Sequence, residues 1–410
     1  MGIPVQRMKI LFITFLLLFS NVYSQKIEIK SLKAFTDSET EIPVVFNNSK
    51  LKIQFDIKSD YEPNLVIVFR FCDRNWKPYQ NIFLLNYGKN IEYNLNFDLL
   101  PNTVQDARYH YEGSIPGKNN YVSFPFSGKW MFYITDASDT SNVYATGKFY
   151  VVIPNVSLNV TKKNEVLEDK VYSPPVLAKI FNITTKFYLP EEYAPSFVDH
   201  VEIIENQKIY YPFIITRNFN TNTRQYYWDG NRSFTFTARD IHPGNEYRET
   251  DLRNYNIYNH KDVPAHFDGM EYSRFYKEGS EDLNGGSLYL FYKNDYADYL
   301  NVTFKIRPPD NNFQSIFLVG AFNHWQILPE YQMTNIGGVY TKTISLKRGI
   351  YDYQYVAADI IRDKIENPDW LVLEGNFWET SNVYYIFLYY NDQNYGGYDR
   401  IIGYKKIITK

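Results

Sequence analysis

The chain has few cysteines and little net charge. Its 410 residues include one cysteine, Cys72, so no intramolecular disulfide can form and packing must stabilise the fold. Because Cys72 ends the apolar run 66–72, we interpret it as a buried small residue rather than a reactive thiol. The net charge is only -3, and both signs are spread along the chain. We therefore expect no nucleic-acid partner and no binding to anionic lipid.

Residue patterns for catalysis and metal binding are also missing. None of the six histidines has a partner at the spacing of a helical zinc site or of a His-x-His strand site. No glycine-rich phosphate loop and no Gly-x-Ser-x-Gly element occurs in the sequence. We therefore expect a protein that is not an enzyme, with no catalytic residues, no metal site and no cofactor.

The one long apolar run lies at the N-terminus. The run Ile10–Phe19 follows basic residues and is too short to span a bilayer, which predicts a secretory signal peptide over residues 1–24, cleaved after Ser24. Met8 is an alternative start to Met1. No later segment is long and apolar enough to cross a membrane as a helix, so we expect an exported protein without a transmembrane span.

Aromatic residues make up 18% of the chain, with 39 Tyr and 30 Phe. These residue types favour strands, and short runs of alternating apolar and polar residues recur along the whole sequence. The sequence therefore predicts an all-β protein of three immunoglobulin-like β-sandwich modules in series: residues 25–155, 156–307 and 308–410. The polar stretch 239–287 has few periodic runs, so we expect it to be the least self-packed part and a partner-facing surface.

The third predicted module contains a recognisable turn. The run Phe317–Trp325 enters a Gly-Ala turn, and Gly349–Val356 provides a second strand of alternating aromatics. This pattern resembles the glycogen-binding and starch-enzyme-associated β-sandwich modules. The resemblance implies a possible glycan site formed by Asn323, Trp325, Trp370 and Trp378, although the same Asn and Trp can simply stabilise the turn and the end of the sheet.

A second resemblance extends over residues 30 to 405. The elements Phe71–Pro78, Tyr109–Tyr111, Ser127–Tyr133, Arg239–Arg248 and Tyr398–Gly403 occur in the order found in the plug protein family of the Bacteroidetes type IX secretion system. This resemblance implies a periplasmic protein at the inner face of the outer membrane. It also implies that the protein binds the large translocon β-barrel of that system and other type IX components, and plugs or regulates the barrel.

The element around Pro243 and Gly244 is the candidate partner contact. Pro-Gly predicts a turn in which Gly244 takes a positive φ. The flanking residues are therefore either structural or, as loop-borne Arg and Tyr often are, interface anchors. The predicted partner-binding residues are Arg239, Asn245, Glu246, Tyr247 and Arg248. Binding to a glycan is the alternative function.

Overall fold

The computed structural model describes residues 27–47, 49–86, 90–117, 121–167, 175–309 and 315–409. The predicted signal peptide lies outside these residues. The all-β prediction is confirmed, because strands form nearly all of the regular structure. Short 3-10 helices connect some of the strands: Pro175–Ala178, Pro195–Phe197, Ala321–Asn323, Pro329–Tyr331 and Asn394–Gly396.

The first sandwich is formed by two sheets that enclose an aromatic-rich core. One sheet has the order β1-β3-β7-β6, and the facing sheet has the order β2-β9-β8-β4-β5. Cys72, at the end of β4, is buried as predicted, and burial raises the pKa of its thiol to about 12. The strands are β1 (Glu28–Phe35), β2 (Val44–Phe46), β3 (Leu51–Lys58), β4 (Leu65–Cys72), β5 (Ile91–Glu92), β6 (Phe97–Leu99), β7 (Tyr109–Ile115), β8 (Gly128–Asp136) and β9 (Val143–Val152).

The second sandwich begins directly after the first. Its first six strands are β10 (Asn159–Val166), β11 (Lys179–Tyr188), β12 (Val198–Glu205), β13 (Phe213–Thr216), β14 (Arg224–Trp228) and β15 (Ser233–Ile241). One sheet has the order β10-β11-β15-β14. The strands β12 and β13 pair antiparallel and form a hairpin.

The third sandwich is formed by residues 248–373. Its strands are β16 (Arg248–Asp251), β17 (Asp262–Pro264), β18 (Glu271–Tyr272), β19 (Ser287–Tyr289), β20 (Tyr299–Arg307), β21 (Ser315–Gly320), β22 (Thr334–Ile336), β23 (Val339–Lys347), β24 (Gly349–Ile361) and β25 (Lys364–Asp369). One sheet is built around β24, and the other has the order β17-β20-β23-β22. Both predicted motif strands are present, and they pair with each other, with β21 antiparallel to β24.

The last two strands, β26 (Asn382–Asp392) and β27 (Tyr398–Thr409), return to the second sandwich. They complete a sheet of order β13-β12-β26-β27. Strand pairing therefore crosses the predicted boundary between residues 307 and 308, and the third sandwich lies between two parts of the second rather than after it. The physical reason is that alternation along a strand indicates which face is buried but not which strand is its neighbour.

Strand β26 is buried on both faces. Tyr384, Ile386 and Leu388 pack inside the second sandwich, whereas Phe387 and Tyr389 pack against the first sandwich. The Phe387 ring stacks on Tyr150 of β9, with centroids 4.5 Å apart. The run of apolar and aromatic residues in β26 is thus explained by two contacts, one with each neighbouring layer.

Candidate functional site

Three of the five motifs that carry the plug-family resemblance meet at the contact between the first and second sandwiches: Phe71–Pro78, Ser127–Tyr133 and Tyr398–Gly403. Arg74, in the turn after β4, donates to Asp399 at 2.6 Å and lies 2.5 Å from Asp199. His200 Nδ1 is 2.6 Å from the same Asp199 carboxylate. These charges connect a turn of the first sandwich to the ends of β12 and β27, so they fix the relative position of the two sandwiches.

A buried ion pair lies beside this cluster. Lys129 Nζ donates to Glu202 Oε2 at 2.7 Å, and the Tyr150 hydroxyl donates to Glu202 Oε1 at 3.1 Å. Glu202 is completely buried and Lys129 is 2% exposed. Gly128, which precedes Lys129, allows the first sandwich to approach β27 closely. A Cβ at this position would lie 2.7 Å from the Phe71 ring and 2.9 Å from the Asp399 carbonyl oxygen.

A second buried carboxylate connects the first and third sandwiches. Asp56 accepts from Lys347 Nζ at 2.7 Å and from the Tyr299 hydroxyl at 2.8 Å, and its other oxygen is 2.7 Å from His110 Nδ1. Burial alone would raise the pKa of Asp56, but His110 and Lys347 together hold it below the usual value. The Tyr109–Tyr111 motif is therefore also part of a contact between sandwiches.

The predicted partner-binding element lies where the chain passes from the second to the third sandwich. Gly244 has a φ of 69°, as the Pro-Gly turn predicted. Arg248 donates through Nε to both Glu374 oxygens, at 2.9 and 3.0 Å, and through NH1 to Glu271 at 2.9 Å. Burial opposes ionisation of Glu271, but contacts including His266 and Arg248 hold its pKa at about 2.

Four of the five predicted partner-binding residues are buried: Asn245, Glu246, Tyr247 and Arg248. Asn245 donates to the carbonyl oxygens of Glu374 and Lys277, and the Tyr247 ring lies 4.2 Å from that of Trp325. Arg239 is exposed. The structure thus brings four of the residues together as a support within the protein and places Arg239 at the surface, so a partner contact through this set stays a prediction.

A cleft of about 550 Å³ lies beside this element, between the second and third sandwiches. Its walls include Lys208, Tyr247 and Trp370. Lys208 Nζ lies 4.9 Å from the Trp370 ring centroid and 5.3 Å from that of Tyr247, and it donates to Glu205 at 2.7 Å. The aromatic walls thus already hold a cation supplied by this chain, which connects the β12–β13 hairpin to the third sandwich.

The predicted glycan residues do not form one platform. Trp325 is 1% exposed and donates through its indole nitrogen to the Gly285 carbonyl at 2.8 Å. Asn323 is buried and donates to the carbonyls of Leu318 and Gln326, which is the structural role of the turn. Trp370 lines the cleft, and Trp378, half-buried, donates to the Ile180 carbonyl. Glycan binding therefore stays a prediction without an exposed aromatic pair to support it.

Within the stretch 239–287, the aromatic residues differ in exposure. Tyr247 and Tyr258 are buried and Phe275 is half-buried, whereas Tyr255, Phe267, Tyr272 and Tyr276 are exposed. Phe267 is 84% exposed and Tyr276 is 80% exposed, the two largest values among the exposed hydrophobic side chains of the described residues. Tyr255 contacts an aromatic residue outside the stretch, since its ring centroid lies 4.3 Å from that of Tyr296. We call Tyr255, Phe267, Tyr272 and Tyr276 the exposed aromatic set.

Sequence reasoning did not identify Asp56, Glu202 or Asp352 as buried charges. Each is a polar residue in an alternating strand, and such positions ordinarily face water. No signal in the sequence distinguishes them, since burial comes from a second sandwich covering the outer face.

In the part of the chain that the structure describes, no group of three or more His, Cys, Asp and Glu side chains is arranged to hold a metal ion. No helix there is long and apolar enough to cross a membrane.

The fold and its contacts define an all-β protein of connected sandwiches. Residues 29–153 match the family model of the type 9 secretion system plug protein 1st domain, which spans the first sandwich. This match supports the type IX secretion system plug family and a role related to that secretion system at the cell envelope.

A solved structure shows the same fold over nearly the full chain. A hypothetical protein from Parabacteroides merdae ATCC 43184, with a crystal structure at 2.30 Å, has a TM-score of 0.74 and 18% identity, covering 93% of this chain and 97% of that chain. A structure from work on host cell surface retention of a 1.5-MDa bacterial ice-binding adhesin has a TM-score of 0.14 and 8% identity, covering 94% of this chain and 97% of that chain. A score this low does not indicate a shared fold. No curated protein matches the chain.

Proposed function

We propose that this protein is a non-enzymatic periplasmic component that binds the outer-membrane translocon barrel of the type IX secretion system and plugs or regulates it. The single observation that supports this role best is the plug-domain match over residues 29–153. A plug must resist deformation when it covers an opening. The buried ion pairs between the sandwiches favour such a rigid body, because each charge would lose its partner if the sandwiches moved apart.

The exposed aromatic set is the docking surface that we favour. These exposed rings are all carried by the chain between the end of β16 at Asp251 and the start of β19 at Ser287, in the third sandwich. Large aromatic side chains in water are costly to leave uncovered and are the residue types that anchor interfaces. Arg239, the exposed member of the predicted partner-binding residues, is a second candidate contact.

Co-purification tests the function directly. We expect the native protein to be recovered with the translocon from detergent-solubilised outer membranes. Recovery only as a free species, under conditions that keep the barrel intact, would contradict docking. A membrane preparation lacking the barrel provides the control for non-specific retention.

A pair of matched variants tests the surface. We expect Phe267→Ser to reduce recovery with the barrel at least about 10-fold, the effect of removing an interface anchor. The control is Phe219→Ser, which removes a ring that is 68% exposed on the second sandwich. Equal recovery of both variants would place the contact on another face while leaving the docking function intact.

A further inference from the structure

Three carboxylates lie together at the root of the third sandwich. We define the root as the two segments that connect this sandwich to the second, residues 242–247 and 374–381, and the loop 279–286. The Gly279 amide donates to Asn245 in the first segment at 2.9 Å, so the loop is attached to it. Glu246, Asp282 and Asp352 come from the first segment, the loop and strand β24, respectively.

Backbone amides provide the hydrogen bonds that these carboxylates accept. Asp352 Oδ2 accepts from the amides of Leu283 and Gly285, both at 2.8 Å, and its Oδ1 is buried without a hydrogen-bond partner. Asp282 accepts from the Tyr247 amide. Asp352 is completely buried, so an ionised carboxylate there carries a large desolvation cost.

Glu246 joins the two connecting segments. Its Oε1 accepts from the Ser381 amide at 2.6 Å, and Ser381 immediately precedes β26 of the second sandwich. Asp282 lies close enough to interact with both other carboxylates. Burial, followed by the neighbouring acidic charges, raises the pKa of Glu246 to about 7 and that of Asp352 to about 8. The pKa of Asp282 is also raised by burial.

The charges that face this cluster do not neutralise it. Glu281 and Glu249 add negative charge, and Arg274 provides the nearby positive charge that lowers the pKa of Asp282. Two further cations packed against the root are already paired: Arg248 binds Glu374 and Glu271, and Lys208 binds Glu205. Full ionisation would therefore place three like charges together in a poorly hydrated space.

The loop also connects the root to the rest of the protein. Trp325 donates to the Gly285 carbonyl at 2.8 Å, and Lys33 of the first sandwich donates to the Ser287 carbonyl. A Cβ at Gly286 would lie 2.8 Å from Thr40 of the first sandwich. Release of this loop would thus loosen the contact of the third sandwich with the first.

We propose that the root is a proton-dependent hinge: protonated Glu246 and Asp352, beside Asp282, keep the loop 279–286 closed, and their ionisation opens the loop and weakens its contact with the first sandwich. The proposal does not depend on docking to the translocon. It concerns the range from mildly acidic to mildly basic pH, in which buried carboxylates with raised pKa values change charge.

Hydrogen exchange of the full mature chain between pH 5.5 and pH 8.5 tests this hinge, with rates corrected for the pH dependence of intrinsic exchange. The opening constant of residues 279–289 should rise about 10-fold per pH unit for each carboxylate that loses its proton on opening, and should level off above about pH 8. Amides of β8, in the first sandwich, should show no such rise.

Two variants and one control identify the groups. We expect Asp352→Asn and Glu246→Gln each to reduce the steepness of the pH dependence by about 10-fold per pH unit. Asp240→Asn, a change in the same cleft but outside the cluster, should leave it unchanged, since Asn also tolerates the φ of 56° at this position.

An opening constant that does not change with pH would overturn the proposal, as would native steepness in both variants. If Asp352→Asn does not fold, Glu246→Gln provides the same test, because its amide oxygen still accepts from Ser381.

Discussion

Buried ionisable groups occur both at the contact between the first and second sandwiches and at the root of the third sandwich. The first contact pairs opposite charges, whereas the root brings like charges together. At the first, Lys129 faces Glu202, and Arg74 faces Asp199 and Asp399, so each charge has an opposite partner. At the root, Glu246, Asp282 and Asp352 face one another. The contact between the first and second sandwiches should therefore stay intact at any pH near neutrality, whereas the stability of the root should depend on protonation of its carboxylates.

The largest expected effect comes from breaking the paired contact. Lys129→Met leaves the buried Glu202 carboxylate without an opposite charge and with only the Tyr150 hydroxyl, so we expect the free energy of unfolding to fall by about 3–5 kcal/mol. Urea denaturation measures it. The control is Lys163→Met, which removes an ion pair at 2.8 Å whose lysine is 79% exposed, and it should change stability by less than about 1 kcal/mol.

The double variant Lys129→Met with Glu202→Leu sharpens this test. It removes both buried charges, and we expect it to recover most of the lost stability, because the cost comes from the unpaired charge rather than from the absence of attraction. A double variant as unstable as Lys129→Met would show that packing, not charge, dominates this contact.

Removing a carboxylate from the root should raise the stability of the protein at basic pH, whereas breaking the Lys129–Glu202 pair lowers it. The folded-state pKa of Asp352, about 8, lies above the usual value for an aspartate, so its contribution to stability decreases as pH rises from about 4 to about 8. Asp352→Asn should therefore stabilise the protein at pH 8 by about 1 kcal/mol or more relative to its effect at pH 5. Thermal unfolding at the two pH values measures this difference, and an equal effect at both would contradict it.

The contact between the first and third sandwiches should respond in the opposite direction to pH. The pKa of Asp56 is held low in the folded state, so the stability that it contributes is present above about pH 4 and is lost as pH falls through its folded-state value. Denaturant titrations at pH 5 and pH 3 should show a smaller acid loss in Asp56→Asn, by about 1 kcal/mol. The variant should also begin from a lower stability at pH 5, since Lys347 loses its ion pair.

The smallest effect on stability is expected at the exposed aromatic set. Tyr272→Ser removes a ring that is 60% exposed, so the free energy of unfolding should change by less than about 0.5 kcal/mol. Recovery with the translocon should nevertheless fall if this surface docks. A large loss of stability would show instead that the ring is part of the folded core.

Much of the local structure could be predicted from the sequence. Alternating runs such as Leu51–Lys58 and Leu65–Cys72 are strands, and the Pro-Gly pair produces the positive φ at Gly244. The aromatic content correctly predicted an all-β protein. These features depend on residues close together in the chain, since backbone preference and the alternation of faces are local properties.

The environment of the predicted partner-binding residues depends on distant contacts that the sequence does not reveal. The element around Tyr247 was predicted to contact a partner, and this stays a prediction; its burial depends on Trp325 and on Asn206, which donates to the Tyr247 hydroxyl at 3.0 Å. No local pattern distinguishes an Arg that faces a partner from one that, like Arg248, binds Glu374 from 126 residues away.

By itself the sequence determined where strands form and which residues can line a core. Only the tertiary structure decided that β26 pairs with β12 across the inserted third sandwich, and that polar faces such as those of Asp56 and Glu202 are covered. The physical reason is that a strand exposes two faces and two edges, and its own residues specify the preferred environment of each face but not the chain segment that supplies it. Burial of charge, and with it the response to pH, is therefore a property of the assembled sandwiches.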